Sequence, residues 1–211
     1  AALNVAVSEK DRSAVMMSGH NSDAAYWWVD NGFTSYEGRT VSPAVHAQNA
    51  ATGKMVQQGA PAFSPPKWCE KYDRAVAIKD FTIGTHRFPQ AAGDFKAFRR
   101  GPRVDAATGE LAVRLVDEMG LGKDDVTDVL SVSFSATDYV GHTYGTEGVE
   151  MCIQMAQLDA TLGTLFAELD RRGIDYVAVL SADHGGVDAP ERSQLAGSKS
   201  AQRMDTALTD V

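Results

Sequence analysis

The stretch Tyr176-Val177-Ala178-Val179-Leu180-Ser181-Ala182-Asp183-His184-Gly185-Gly186 decides how this chain is read. Its apolar run, Tyr176 to Leu180, ends in polar and glycine residues and predicts a buried β-strand. An aspartate and a histidine leave together at that strand's exit. Upstream, Val129-Leu130-Ser131-Val132-Ser133-Phe134 predicts a second strand, which runs into Ser135-Ala136-Thr137-Asp138-Tyr139-Val140-Gly141-His142. Each run therefore delivers one carboxylate and one imidazole. That mixture suits Zn²⁺ and also admits Mn²⁺ or Fe²⁺. Two such pairs point to a two-metal hydrolytic site.

Between the two runs, residues from about Val149 to Arg172 predict a helix. Its inner face holds Ile153, Ala156, Leu158, Leu162, Leu165, Phe166 and Leu169, and Gly173 caps it. A right-handed βαβ crossover places both strand exits on one sheet edge, where open α/β sheets collect ligands. Asp138, His142, Asp183 and His184 are expected there. Further out, Ala112, Leu115, Val116 and Met119 share one helical stripe over Val104–Met119, and Gly120 stops it. Leu3 to Val7 reads as a strand, and the run Ala14-Val15-Met16-Met17 ends at Ser18-Gly19-His20. A hairpin over 25–36 turns at Asp30-Asn31-Gly32. The alternation gives an α/β fold with a largely parallel sheet.

The span from about 40 to 103 is less regular. It holds six of the seven prolines and reads as a short helix near Pro43 to Gln58 followed by a loop-rich insertion. Residues from Gln202 to Leu208 are expected to be helical. With 211 residues, 44% of them apolar and 23% charged, the chain suits one domain. A net charge of −8 argues against a nucleic-acid or membrane-surface binder, but leaves a locally bound phosphate open. No apolar run approaches the ~20 residues that span a bilayer. The opening Ala1-Ala2-Leu3-Asn4 has neither an initiating Met nor a basic leader and enters a strand at once, as a fragment or a processed product does. Cys69 and Cys152 are too few for a disulfide framework and read as free or buried thiols, with a bridge between them as the lesser alternative.

Lys10 and Arg12 form a second constellation. On an extended strand they share a face, and an ammonium beside a guanidinium suits a phosphate dianion. By residue type alone, however, two solvated charges balanced by Glu9 and Asp11 are the better description. His20, His46 and His86 carry no further ligand signature.

Taken together, Asp138-Tyr139-Val140-Gly141-His142 with Gly145, Leu158-Asp159, Leu169-Asp170 and Ala182-Asp183-His184-Gly185 resemble the alkaline phosphatase superfamily of two-zinc phosphate-ester hydrolases. Lys10-Asp11-Arg12, Ser18-Gly19-His20 and Ala24-Ala25-Tyr26-Trp27 are similar to its secreted bacterial branch, with a threonine nucleophile and a Lys-x-Arg phosphate clamp. The resemblance implies a mostly parallel sheet with helices on both faces, incomplete in this chain, and one partial domain over 1–211. It makes Asp138 and His142 ligands of one zinc, and Asp183 and His184 ligands of the other. Lys10 and Arg12 become phosphoryl contacts, and Gly185 the point of a sharp backbone turn. The implied substrate is a phosphate monoester, and the implied location periplasmic or secreted. The implied parent enzyme is monomeric, with neither nucleic acid nor membrane as partner, and a cut chain is open to self-association. The branch's threonine, an earlier Asp ligand and a later His ligand match no residue here, so the chain looks like the middle of such an enzyme. Two alternatives stand beside a monoesterase fragment: a phosphodiesterase or nucleotide pyrophosphatase, and a non-catalytic metal- or phosphate-binding remnant.

Overall fold

Val5, Ala6 and Val7 are completely buried, which places their strand in the middle of the sheet. The computed structural model describes residues 1–203, and the helix expected up to Leu208 falls largely outside them. Strand β1 (Asn4–Ser8) is flanked by β2 (Ala24–Val29) and β6 (Val129–Ser133), both parallel to it. β3 (Gly32–Thr34) closes the far side antiparallel to β2. The order β3-β2-β1-β6 makes a mixed α/β sheet with the predicted hairpin at one end.

Helix α1 (Asp11–Ser18) crosses between β1 and β2 and packs on β1, β2 and β6. The opposite layer contains α2 (Pro43–Gln58) and α4 (Pro102–Met119). Val45, Val56, Leu111, Leu115 and Val116 meet Val5, Val7, Tyr26 and Trp28 there in the main core. α2 starts where Ser42 accepts a hydrogen bond from the Val45 amide and Pro43 takes the first turn. α4 ends at Gly120 in the left-handed conformation. After β6 come α5 (Ala136–Tyr144) and α6 (Val149–Arg171), the latter packed along α4. Of the predicted inner face of α6, Ile153 and Leu165 are buried.

The insertion has structure of its own. It contains a 3₁₀ helix (Lys67–Tyr72), a two-stranded sheet of β4 (Val76–Ile78) and β5 (Phe81–Ile83), and helix α3 (Phe95–Arg99). A last helix, α7 (Pro190–Leu195), follows the functional segment. Cys69 and Cys152 are disulfide-bonded, which corrects the favoured reading as thiols in favour of the lesser alternative, a bridge. The fold carries the 3₁₀ helix onto the start of α6, an approach that a separation of 83 residues does not announce.

Two local expectations are also corrected. Residues 176–180 form no strand: Val177, Val179 and Leu180 are 91%, 88% and 83% exposed. An apolar run becomes a strand only where a neighbour takes its hydrogen bonds and a layer covers it, and among the described residues it pairs with no strand. The predicted crossover from β6 is therefore not completed. Lys10 and Arg12 do not sit on an extended strand either. Lys10 is the N-cap of α1 and Arg12 lies in its first turn, because Ala14 and Ser18, four apart, turn inward. Gly185 is not in the left-handed region, and a methyl group there would meet open space.

Candidate functional site

β1 and β6 run in register, with Ser8 opposite Ser133, so both chains reach the same sheet edge together. Each then enters a helix. The Lys10 amide donates to Ser8 Oγ at 2.9 Å, fixing the entry to α1. Asp138 lies in the first turn of α5 and His142 one turn later, on the same face. The Lys10 ammonium donates to Asp138 Oδ2 at 2.5 Å. The other carboxylate oxygen, Oδ1, faces His142 Nε2 at 3.3 Å and His184 Nε2 at 3.9 Å. The Lys10 hydrogen bond, assisted by both imidazoles, holds the Asp138 carboxyl below the usual range.

Asp183 and His184 arrive on the exposed segment after α6. His184 Nε2 lies 3.4 Å from Asp183 Oδ2, and its Nδ1 is 2.8 Å from the Gly185 carbonyl. The Gly185 carbonyl first, then Asp183, pushes the His184 pKa up. A proton on Nδ1 shared with that carbonyl leaves Nε2 as the face turned to Asp138. Beyond them Asp188 fastens the segment. Its Oδ1 accepts the amides of Thr146 and Glu147 at 2.8 and 3.0 Å. Gly145 makes that approach possible, since a Cβ there would lie 2.4 Å from Asp188 Oδ1 and its φ is +80°.

Three elements hold α5 from behind. Its own N-cap, Ser135, makes no capping bond. Instead buried Asp105 of α4 accepts the Ala136 amide at 3.2 Å and Gln154 Nε2 of α6 at 2.7 Å. Burial pushes the Asp105 carboxyl up to about 6. Fully buried Glu9 faces Arg99 of α3, whose Nε is 3.3 Å from Glu9 Oε1 and whose Nη2 is 3.2 Å from Tyr139 Oη.

The structure thus brings together Lys10, Asp138, His142, His184 and, through His184, Asp183. It does not bring in Arg12, which is exposed and, among the described residues, makes no side-chain hydrogen bond or ion pair. His86 instead stacks on Tyr144, 5.1 Å between ring centres. A cleft of about 470 Å³ between α4 and α6 carries none of the predicted site residues. Sequence reasoning missed Arg99, Tyr139 and Asp105. Asp105 did leave a signal, a carboxylate on the inward stripe of α4 with Thr108, Ala112 and Leu115.

Among the described residues, no group of three or more His, Cys, Asp and Glu side chains forms a closed metal-holding cluster. The donors nevertheless fit a divalent cation in kind. One carboxylate already holds a positive charge, the Lys10 ammonium, and two imidazole nitrogens converge on its other oxygen.

Sequence comparison gives the family to which this arrangement belongs. Residues 5–208 match the type I phosphodiesterase / nucleotide pyrophosphatase family, and the chain belongs to it. Among similar proteins is alkaline phosphatase PhoK of Sphingomonas sp., 46% identical over 97% of this chain and 37% of PhoK. Another is alkaline phosphatase PhoD of Zymomonas mobilis, 43% identical over 97% of this chain and 36% of PhoD. The crystal structure of wild-type alkaline phosphatase PafA superposes with a TM-score of 0.78 at 28% identity, covering 92% of this chain and 41% of PafA. The chain has the alkaline-phosphatase-like fold over that part, and spans little more than a third of the length of these relatives.

Proposed function

We propose that this chain is the metal- and phosphate-binding part of a zinc-dependent phosphate monoester hydrolase of the alkaline phosphatase type. One observation carries the reading: an ammonium and two imidazoles converge on the single carboxylate of Asp138. Asp138 and His142 would hold one Zn²⁺, and Asp183 and His184 the other. When bound, the ions would supply positive charge at the entering and leaving oxygens of an in-line displacement. Lys10, released from Asp138 as a cation takes that carboxylate, would neutralise non-bridging phosphoryl oxygens. Its charge favours a monoester dianion. His184 keeps Nε2 available while Nδ1 faces Gly185, and Asp105 fixes the helix that presents Asp138. The phosphorylated threonine of the resembled branch has no counterpart among these residues, so the chain by itself is expected to turn over negligible phosphate monoester. An oxidising compartment, periplasm or cell exterior, is supported by the Cys69–Cys152 disulfide. The family's name favours a second reading, a phosphodiesterase or nucleotide pyrophosphatase; Lys10 at the site speaks for the first.

Calorimetric titration of the chain with Zn²⁺ tests the site. Binding is expected, and Asp138→Asn and Asp183→Asn should each weaken it at least about tenfold. Lys10→Met should strengthen it by removing the competing ammonium. Affinity unchanged by either carboxylate substitution would refute the assignment.

A further inference from the structure

We propose that Tyr139 and Arg99 are positioning residues for Lys10, holding its ammonium beside Asp138 in the orientation from which it meets a phosphoryl oxygen. The inference rests on the reading of Lys10 given above. Lys10 Nζ lies 4.9 Å from the centre of the Tyr139 ring, a cation–π distance. The ring is itself held, because Arg99 Nη2 donates to the Tyr139 hydroxyl at 3.2 Å while Arg99 Cζ lies 5.8 Å from the same ring. Arg99 is held in turn by Glu9, Nε to Oε1 at 3.3 Å. Glu9 is bonded to Lys10 along the chain, so the four residues close a loop that joins the exit of β1, the end of α3 and the first turn of α5.

Two features separate this loop from ordinary packing. Glu9 is completely buried, yet its Oε2 has no hydrogen-bond partner, a costly arrangement for a residue that only fills space. Arg99 is 38% exposed while its carboxylate partner is fully enclosed, so the guanidinium bridges the interior and the rim of the site. A free lysine side chain samples many rotamers. Asp138 and the Tyr139 ring together remove much of that freedom before any ligand arrives. Once a divalent cation takes Asp138, the ring alone keeps the ammonium at the rim.

The test uses the whole chain with isotope-labelled lysine, the Lys10 signal being assigned through Lys10→Arg. In the unsubstituted chain the Lys10 ε-methylene resonance is expected to be displaced by the ring current of Tyr139. Tyr139→Leu and Arg99→Leu should return it toward the position of a solvated lysine, while the other lysine signals stay in place. Tyr139→Phe, which removes only the hydroxyl, should move it part of the way and carries the test if a leucine variant does not fold. Arg99→Lys should restore less than full displacement, having the charge but not the fork. With Zn²⁺ present, affinity for inorganic phosphate should fall about fivefold in Arg99→Leu. A Lys10 signal unmoved in Tyr139→Phe and Arg99→Leu overturns the proposal. The two readings fail separately: a chain that binds neither Zn²⁺ nor phosphate but whose Lys10 signal follows Arg99 keeps the brace and loses the hydrolase assignment. Phosphate bound equally by the unsubstituted chain and Arg99→Leu, with Lys10 unmoved, does the reverse.

Discussion

Glu9 shows at the scale of one residue how the site's surroundings are tuned. Burial first, then the nearby charge of Asp105, pushes its carboxyl from 4.5 up to about 8, against the pull of Arg99. A carboxyl raised in the folded state binds its proton more tightly there than in the unfolded chain. The resulting stability is complete below about 4.5 and is lost as pH rises through about 8. One proton sets a ceiling of about 1.4 kcal/mol per pH unit on the slope. Glu9→Gln, which keeps the volume and an acceptor for Arg99, should flatten this contribution. Urea unfolding at pH 5, 7 and 9 checks it, and equal pH slopes in both proteins would count against the buried proton. Lys10, Asp138 and His142 could be singled out because they follow the ends of β1 and β6, whereas Asp183 and His184 stood out only as an Asp-His pair after an apolar run that forms no strand. The sequence showed Glu9 only as a counter-charge, since its burial depends on α3 closing over the end of β1. Arg12 was misplaced because helical turns separate residues that a strand would align.

At the scale of elements, α5 is held by its neighbours more than by its own cap. Asp105→Leu removes the acceptor for both the Ala136 amide and Gln154, and should cost about 1–3 kcal/mol in urea unfolding and weaken Zn²⁺ binding. Asp105→Asn should cost less, because Gln154 Oε1, now without a partner, can turn to accept from the new amide. Equal losses in the two variants would argue against the Gln154 rearrangement. The long helices α2, α4 and α6 were readable, since many turns repeat the same inward stripe. α1 was hidden, being short and carrying exposed Val15, Met16 and Met17 beside its buried Ala14. The strand at 176–180 was overread for the opposite reason: composition alone cannot supply the partner that a ladder requires.

At the scale of the whole molecule, the insertion is fastened to the start of α6 twice. The Cys69–Cys152 bond joins them, and Glu150 Oε1 accepts the amides of Gly84 and His86 at 2.7 and 2.9 Å. Replacing both cysteines by alanine should lower stability by about 2–5 kcal/mol and make residues near Trp68 and Phe81 the first cut in limited proteolysis. Thermal unfolding without that loss would show that Glu150 suffices. No spacing rule reveals such a bond, because the fold must first bring its halves together. The two halves of the candidate centre are also mounted differently. Asp138 and His142 ride on a helix gripped by α4 and α6, whereas Asp183 and His184 hang on an exposed run between Ile174, packed against the main core, and Asp188. The candidate centre thus joins a firm backing to a thin overhang: were the proposed cations bound, the helix-borne pair would set where they sit, and the exposed run would have to be drawn in to meet them.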